Sequence, residues 1–133
     1  MASPKGIAAI EHVNISVSDP QRSAAFLQQL CGWHIRWEGA AMNNGYTIHV
    51  GSETGYLAIY TNDDIKAALS KGKFAKSAPL NHVGLQVDDL AKARGIVLDA
   101  RLEPFSDSDY DPGPRSFYFF DWDGIEFEVV SYE

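Results

Sequence analysis

His12 and His82 are the residues from which chemistry on this chain is most readily built. Each sits inside a strand-like alternation, and the segments around them repeat. Ile10-Glu-His12-Val-Asn-Ile-Ser-Val17-Ser-Asp19 is echoed 70 residues later by Leu80-Asn-His82-Val-Gly-Leu-Gln-Val87-Asp-Asp89. A repeat at this period marks two copies of one supersecondary unit. Strand parity places His12 with Ile10, Asn14 and Ser16, opposite Val13, Ile15 and Val17. It places His82 with Gly84 and Gln86, opposite Val83, Leu85 and Val87. Near the end of the chain, Glu126 and Glu128 likewise share a face opposite Ile125, Phe127 and Val129. Two imidazoles and one carboxylate form a facial triad with open coordination positions, suited to Fe(II), Mn(II) or a similar ion. Open positions admit substrate oxygens to the metal, which then serves as Lewis acid or electron conduit.

The elements that must position these groups follow from periodicity and punctuation. After the first strand, Asp19-Pro20 reads as a helix start, the carboxylate capping free N–H groups and proline at the first helical position. Phe26, Leu27, Leu30 and Cys31 form one buried stripe, and Gly32 ends it. Strands are predicted at His34–Glu38, Tyr46–Val50 and Tyr56–Tyr60. The second copy gives a strand at Leu80–Val87, a cap at Asp89 and a stripe of Leu90, Ala93, Ile96 and Val97. A short segment near Arg101–Glu103, a long loop, Arg115–Phe120, a turn at Asp123-Gly124 and Ile125–Tyr132 complete it. The order is βαβββ, twice. The modules span residues 1–62 and 80–133, joined by a solvated linker over 63–79 within one compact domain.

Composition narrows the classes. A net charge of −7 argues against a nucleic-acid partner. No apolar run reaches the roughly 20 residues that cross a bilayer, and the first residues lack the apolar core of a secretory signal. Cys31 is the single cysteine, so no internal disulfide forms and a cytoplasmic location is expected. Buried on its helix with no activating base in view, it is not read as a nucleophile. The run from Asp107 to Gly113 fails as a calcium loop, because Pro112 replaces the required glycine and Tyr118 the bidentate glutamate. It is read instead as an acidic solvent loop, with covering the cavity as the alternative.

These features resemble the vicinal oxygen chelate superfamily, which includes glyoxalase I, fosfomycin-resistance thiol transferases, extradiol dioxygenases and bleomycin-resistance proteins. The resemblance rests on the two histidine segments and on Phe117-Tyr-Phe-Phe-Asp121-Trp-Asp123-Gly124-Ile-Glu-Phe-Glu128, and covers about Ile7 to Tyr132. It implies an α+β fold of paired βαβββ modules, forming a half-open barrel around a metal or ligand cavity. It also implies that His12, His82 and Glu128 hold a divalent metal ion (Fe, Mn, Ni or Zn), Glu128 being four residues after the turn glycine. Members with a fourth ligand take it from a position that aligns with Ala58, which cannot coordinate, so glyoxalase I activity is not expected. The extradiol signature is partial: Trp122 replaces a proline, and no histidine precedes Phe117.

The function expected is a metal-dependent enzyme with lyase, thiol transferase or dioxygenase chemistry on a small oxygen-rich molecule. Glu128, Tyr118 and Arg115 are its candidate catalytic groups. Arg115, Tyr56, Tyr60, His49 and Trp37 are its candidate substrate contacts, Arg115 because a guanidinium grips a carboxylate or phosphonate in two places. The alternative is a metal-free, bleomycin-resistance-like protein that binds an antibiotic or small molecule without chemistry. A homodimer is expected, because half-barrels leave sheet edges that invite pairing.

Overall fold

The computed structural model describes residues 10–72, 80, 82–109 and 114–132. Its first module runs β1 (His12–Ser16), α1 (Pro20–Cys31), β2 (His34–Ala41), β3 (Gly45–Gly51) and β4 (Tyr56–Thr61). A helix, α2 (Asp63–Gly72), follows. The second module runs β5 (Val83–Gln86), α3 (Leu90–Asp99), β6 (Phe105–Asp109), β7 (Arg115–Phe120) and β8 (Glu126–Ser131). The strands form two four-stranded sheets ordered β1-β4-β3-β2 and β5-β8-β7-β6. In each, the first pair is parallel and the others are antiparallel, so the sequence repeat is also a repeat of topology. Among the described residues both sheets are open, and no closed barrel forms.

The helix boundaries follow the capping chemistry of the sequence. Asp19 accepts a hydrogen bond from the Arg22 N–H at 3.1 Å, and Asp89 accepts the equivalent one from Lys92 at 3.0 Å. Gly32 ends α1 in the left-handed conformation at φ 69°, where a Cβ is costly. Phe26, Leu27 and Leu30 are buried on α1, as are Ala93 and Val97 on α3. The two apolar sheet faces and both helices share one core, which includes Ile15, Val17, Val50, Ile59, Leu85, Phe117, Phe127 and Val129. Phe26 joins the modules, meeting Phe119 edge-on at 5.7 Å and Trp122 at 5.3 Å.

Two expectations are corrected. The stretch expected to be a solvated linker contains α2. Asn62 caps it, its side chain accepting the Ile65 N–H at 2.8 Å, and Asp63 and Asp64 sit in the first turn where the helix dipole favours them. The second strand of the second module is Phe105–Asp109, inside the expected loop, rather than Arg101–Glu103. Arg101 instead occupies a turn at φ 65°. Residues 110–113 of the acidic segment lie outside the described residues.

Two turns fix strand register. Met42 to Gly45 closes β2 onto β3, with Asn43 and Asn44 at φ 57° and 56° and the Gly45 N–H bonded to the Met42 carbonyl at 3.0 Å. This is the geometry of a type I′ hairpin turn, whose twist matches the strands. A Cβ on Gly45 would stand 2.5 Å from the Tyr60 ring, so the close approach itself requires glycine there.

Between β7 and β8, one oxygen of Asp121 accepts the N–H groups of Asp123 and Ile125, each at 2.9 Å. Burial pushes the Asp121 carboxyl up to about 6, against the pull of those two bonds. An aspartate raised in the folded state binds more protons folded than unfolded between its two pKa values. Its contribution to stability is therefore full below the ordinary aspartate range and is lost as pH rises through about 6. Asp121→Asn keeps the accepting oxygen and removes the charge. Its stability relative to the parent should rise by about 2–3 kcal/mol between about pH 4 and about pH 8. Urea midpoints of both proteins across that range measure this, and a pH-independent difference would show that Asp121 carries no such penalty.

Candidate metal and substrate site

Both candidate ligand histidines lie on the polar faces of their sheets, turned away from the shared core. On the first sheet, His12 pairs with Tyr56, Asn14 with Ala58 and Ser16 with Tyr60. Ala58 in turn pairs with His49, and His49 with Trp37. The expected contacts Trp37, His49, Tyr56 and Tyr60 thus share one face with His12. The rings form a continuous row. His12 stacks on Tyr56 at 4.9 Å, Tyr56 on His49 at 4.5 Å, and His49 meets Trp37 at 5.3 Å. Trp37 is 52% exposed at the end of the row, a large apolar surface left open on a polar face. Tyr60 is committed elsewhere: its hydroxyl donates to the Met42 carbonyl at 2.6 Å and so braces the hairpin.

On the second sheet, Gly84, Glu128 and Tyr118 lie side by side on adjacent strands. His82, just ahead of β5, brings Nε2 within 3.2 Å of Glu128. Its Nδ1 lies 3.8 Å from Glu126, and the Tyr118 ring meets the imidazole edge-on at 5.5 Å. Phe105 and Phe120 extend this wall, stacked 5.2 Å apart.

The two histidines carry matching outer partners. The Glu11 carboxylate accepts the Nδ1–H of His12 at 2.7 Å, and that bond is the main reason its pKa is lowered. A carboxylate only accepts, so the bond fixes the proton on Nδ1 and leaves Nε2 free to coordinate. Glu126 stands on the Nδ1 side of His82 at 3.8 Å, an ion-pair distance longer than a hydrogen bond. Carboxylate–histidine pairs of this kind orient imidazole ligands and raise their basicity. Parity already put Glu126 beside Glu128, but not which one would meet which ring nitrogen.

Arg115 is the expected site residue that the structure does not bring to this face. It pairs with Ser131 and shares the parity of Phe117 and Phe119, on the side of β7 away from Tyr118 and Glu128. It lines a cleft with Leu90 and Arg94 of α3 instead. The site-facing cation is Arg36, whose guanidinium lies 4.5 Å over the Tyr56 ring and donates to the Ser52 carbonyl at 3.0 Å. A β-bulge between Ile35 and Trp37 turns Arg36 toward this face. Simple alternation carries no sign of a bulge. His49 is held below its usual pKa, first by burial and then by its electrostatic interactions with His12 and Arg36. The Cys31 thiol is pushed up to about 12 by burial, consistent with an inert side chain.

As a donor set, two imidazoles, that of His12 with Nδ1 tied back, and a carboxylate at 3.2 Å from the ring of His82 suit a divalent ion. Among the described residues of one chain, no three His, Cys, Asp or Glu side chains gather around one point. The sheets share a core through their apolar faces, so their polar faces look away from it, and His12 does not meet His82 and Glu128 within a chain.

The sequence profile of the glyoxalase/bleomycin resistance protein/dioxygenase superfamily matches residues 9–129. The chain belongs to that superfamily. Among solved structures, the glyoxalase family protein from Enterococcus faecalis superposes with a TM-score of 0.71 at 21% identity, over 93% of this chain and 98% of that one. The fosfomycin resistance protein FosX from Listeria monocytogenes, complexed with Mn(II) and sulfate, gives 0.69 at 18% identity, over 95% and 93%. FosX from Mesorhizobium loti gives 0.69 at 20% identity, over 93% and 91%. Identities this low establish the shared fold. No curated protein sequence matches the chain. No helix among the described residues is long and apolar enough to cross a membrane.

Proposed function

We propose that the protein is a metal-dependent enzyme acting on a small oxygen-rich molecule, with His12, His82 and Glu128 as ligands assembled across a homodimer. The observation that carries this reading is the sequence repeat, which puts His12 and His82 at equivalent positions of the two modules, each with a carboxylate on its Nδ1 side, Glu11 at 2.7 Å and Glu126 at 3.8 Å. A surface histidine has no need of a fixed tautomer, whereas a ligand does. FosX complexed with Mn(II) lends the reading support, since it shares the fold.

A divalent ion bound there would supply Lewis-acid polarisation of adjacent substrate oxygens. The residues of the chain supply the rest. Glu11 holds the His12 ring in orientation. The row Trp37, His49 and Tyr56 offers a flat wall, and Arg36 beside it offers a guanidinium for an anionic substituent. Tyr118, across the strand pair from Glu128, can exchange a proton with substrate through its hydroxyl.

The test is elemental analysis of protein purified without chelators, repeated on His82→Ala. The parent should carry near-stoichiometric Fe, Mn, Ni or Zn, and the variant should lose most of it while keeping its circular dichroism spectrum. A parent that neither carries nor takes up metal would favour the metal-free binding protein instead.

A further inference from the structure

The β7–β8 turn buries two carboxyl groups at the junction of the modules. Asp121 is 3% exposed and Asp123 7%. One Asp121 oxygen accepts the N–H groups of Asp123 and Ile125, while Asp123 Oδ2 has no hydrogen-bond partner. Trp122, between them, is the residue by which the turn grips α1 of the first module. Its ring meets Phe26 edge-on at 5.3 Å and lies under the Arg22 guanidinium at 4.5 Å. The space that Asp121 shares with Ser23, Phe26 and Trp122 is about 10 Å³, at the lower limit for one water. Asp121 therefore has no room for the hydration shell that an ionised carboxylate needs.

Among the described residues, the charged groups acting on Asp121 are Asp123 in its own turn and Arg22 on α1. Lys66 of α2 and Arg101 line the cleft on the side of Trp122 and Asp123. Burial weighs most against the charged form of Asp121, and Asp123 adds to it. The two N–H donors and Arg22 act the other way without cancelling it. Opening the turn alone would return this carboxyl to water. Closure is therefore strongest in acid and weakens as pH rises through about 6. Because β8 begins at Glu126, the same opening loosens the entry to the strand that carries Glu128.

We propose that the β7–β8 turn is a pH-sensitive latch between the modules, closed on α1 while Asp121 is protonated and opening locally once Asp121 ionises. Amide hydrogen exchange of the full-length protein, followed by NMR from about pH 5 to about pH 7.5 and corrected for intrinsic rates, tests it. Protection of the Asp123 and Ile125 amides should fall about tenfold over that range, as expected of a carboxyl that ionises near pH 6 when closed and in the ordinary aspartate range when open. The opening is local, so about 1 M urea should change those two rates by less than about twofold. The Val17 and Val87 amides, bonded to the Tyr60 and Val130 carbonyls at 2.9 Å, should exchange about fivefold faster or more in the same urea. Asp121→Asn keeps the accepting oxygen and should hold the protection of both turn amides within about twofold across the pH range. Protection in the parent that does not change with pH would overturn the proposal. So would turn amides that respond to urea as steeply as Val17 and Val87, or the same tenfold fall in Asp121→Asn.

Discussion

Mixing His12→Ala protein with Glu128→Ala protein should restore metal binding that neither variant has alone. Each variant lacks one of three proposed ligands. Removing an outer partner of a ligand typically costs about 10–100-fold in affinity, so removing the ligand itself should cost at least about 100-fold. In a shared arrangement, a mixed dimer joins His12 of one chain to His82 and Glu128 of the other at one site. Its second site then lacks both. Random exchange makes half the dimers mixed, so about one quarter of all sites should regain metal, as expected for a two-fold pair. The geometry behind this is the common core: Phe26 and its neighbours hold the apolar sheet faces together, leaving the ligands of one chain on faces that look outward. No recovery, with subunit exchange shown by mass spectrometry of labelled chains, would mean that each site uses one chain only.

How far the sequence revealed this arrangement depends on which physical signal each part rests on. The parity of His12, His82 and Glu128 was legible because the alternation of apolar residues is regular on β1, β5 and β8, and a half-buried strand admits one register. The caps Asp19 and Asp89 were legible because they are local chemistry. The register of β4 was legible too: Ala58 pairs with Asn14 and His49, on the His12 face between Tyr56 and Tyr60. Arg36 and Arg115 were not legible, for opposite reasons. A bulge breaks the count at Arg36, whereas Arg115 obeys the count and thereby points away from Glu128. β6 was missed because Phe105 is its only large apolar residue and the strand is irregular, with Ser106 at φ 54°. Tertiary pairing, not hydrophobicity, makes that strand. α2 carried its signal openly in Asn62-Asp-Asp and the spacing of Ile65 and Leu69, but the lysines and glycine around it outweighed that signal.

The junction that keeps the ligand faces apart should be the most sensitive point in the core. Phe26 is 7% exposed and contributes rings contacts to both Phe119 and Trp122 of the other module. A space beside it, bounded by Ile15, Leu27, Trp122 and Phe127 among others, is about 10 Å³, at the lower limit for one water. Packing this tight leaves neighbours little freedom to collapse into a void. Phe26→Ala should therefore cost about 3–5 kcal/mol of unfolding free energy, and Phe26→Leu about 1.5 kcal/mol or less. In a double-mutant cycle with Trp122→Leu, the coupling should be about 1 kcal/mol, the share of the edge-on ring pair beyond simple burial. Urea denaturation followed by far-ultraviolet circular dichroism reads all four proteins. A Phe26→Ala cost below about 1 kcal/mol would mean that the modules are not locked through α1, because a truncated core phenylalanine rarely costs so little. In that case the outward placement of His12 and Glu128 would lose its structural cause, and a site closed within one chain would become the better explanation of any metal found.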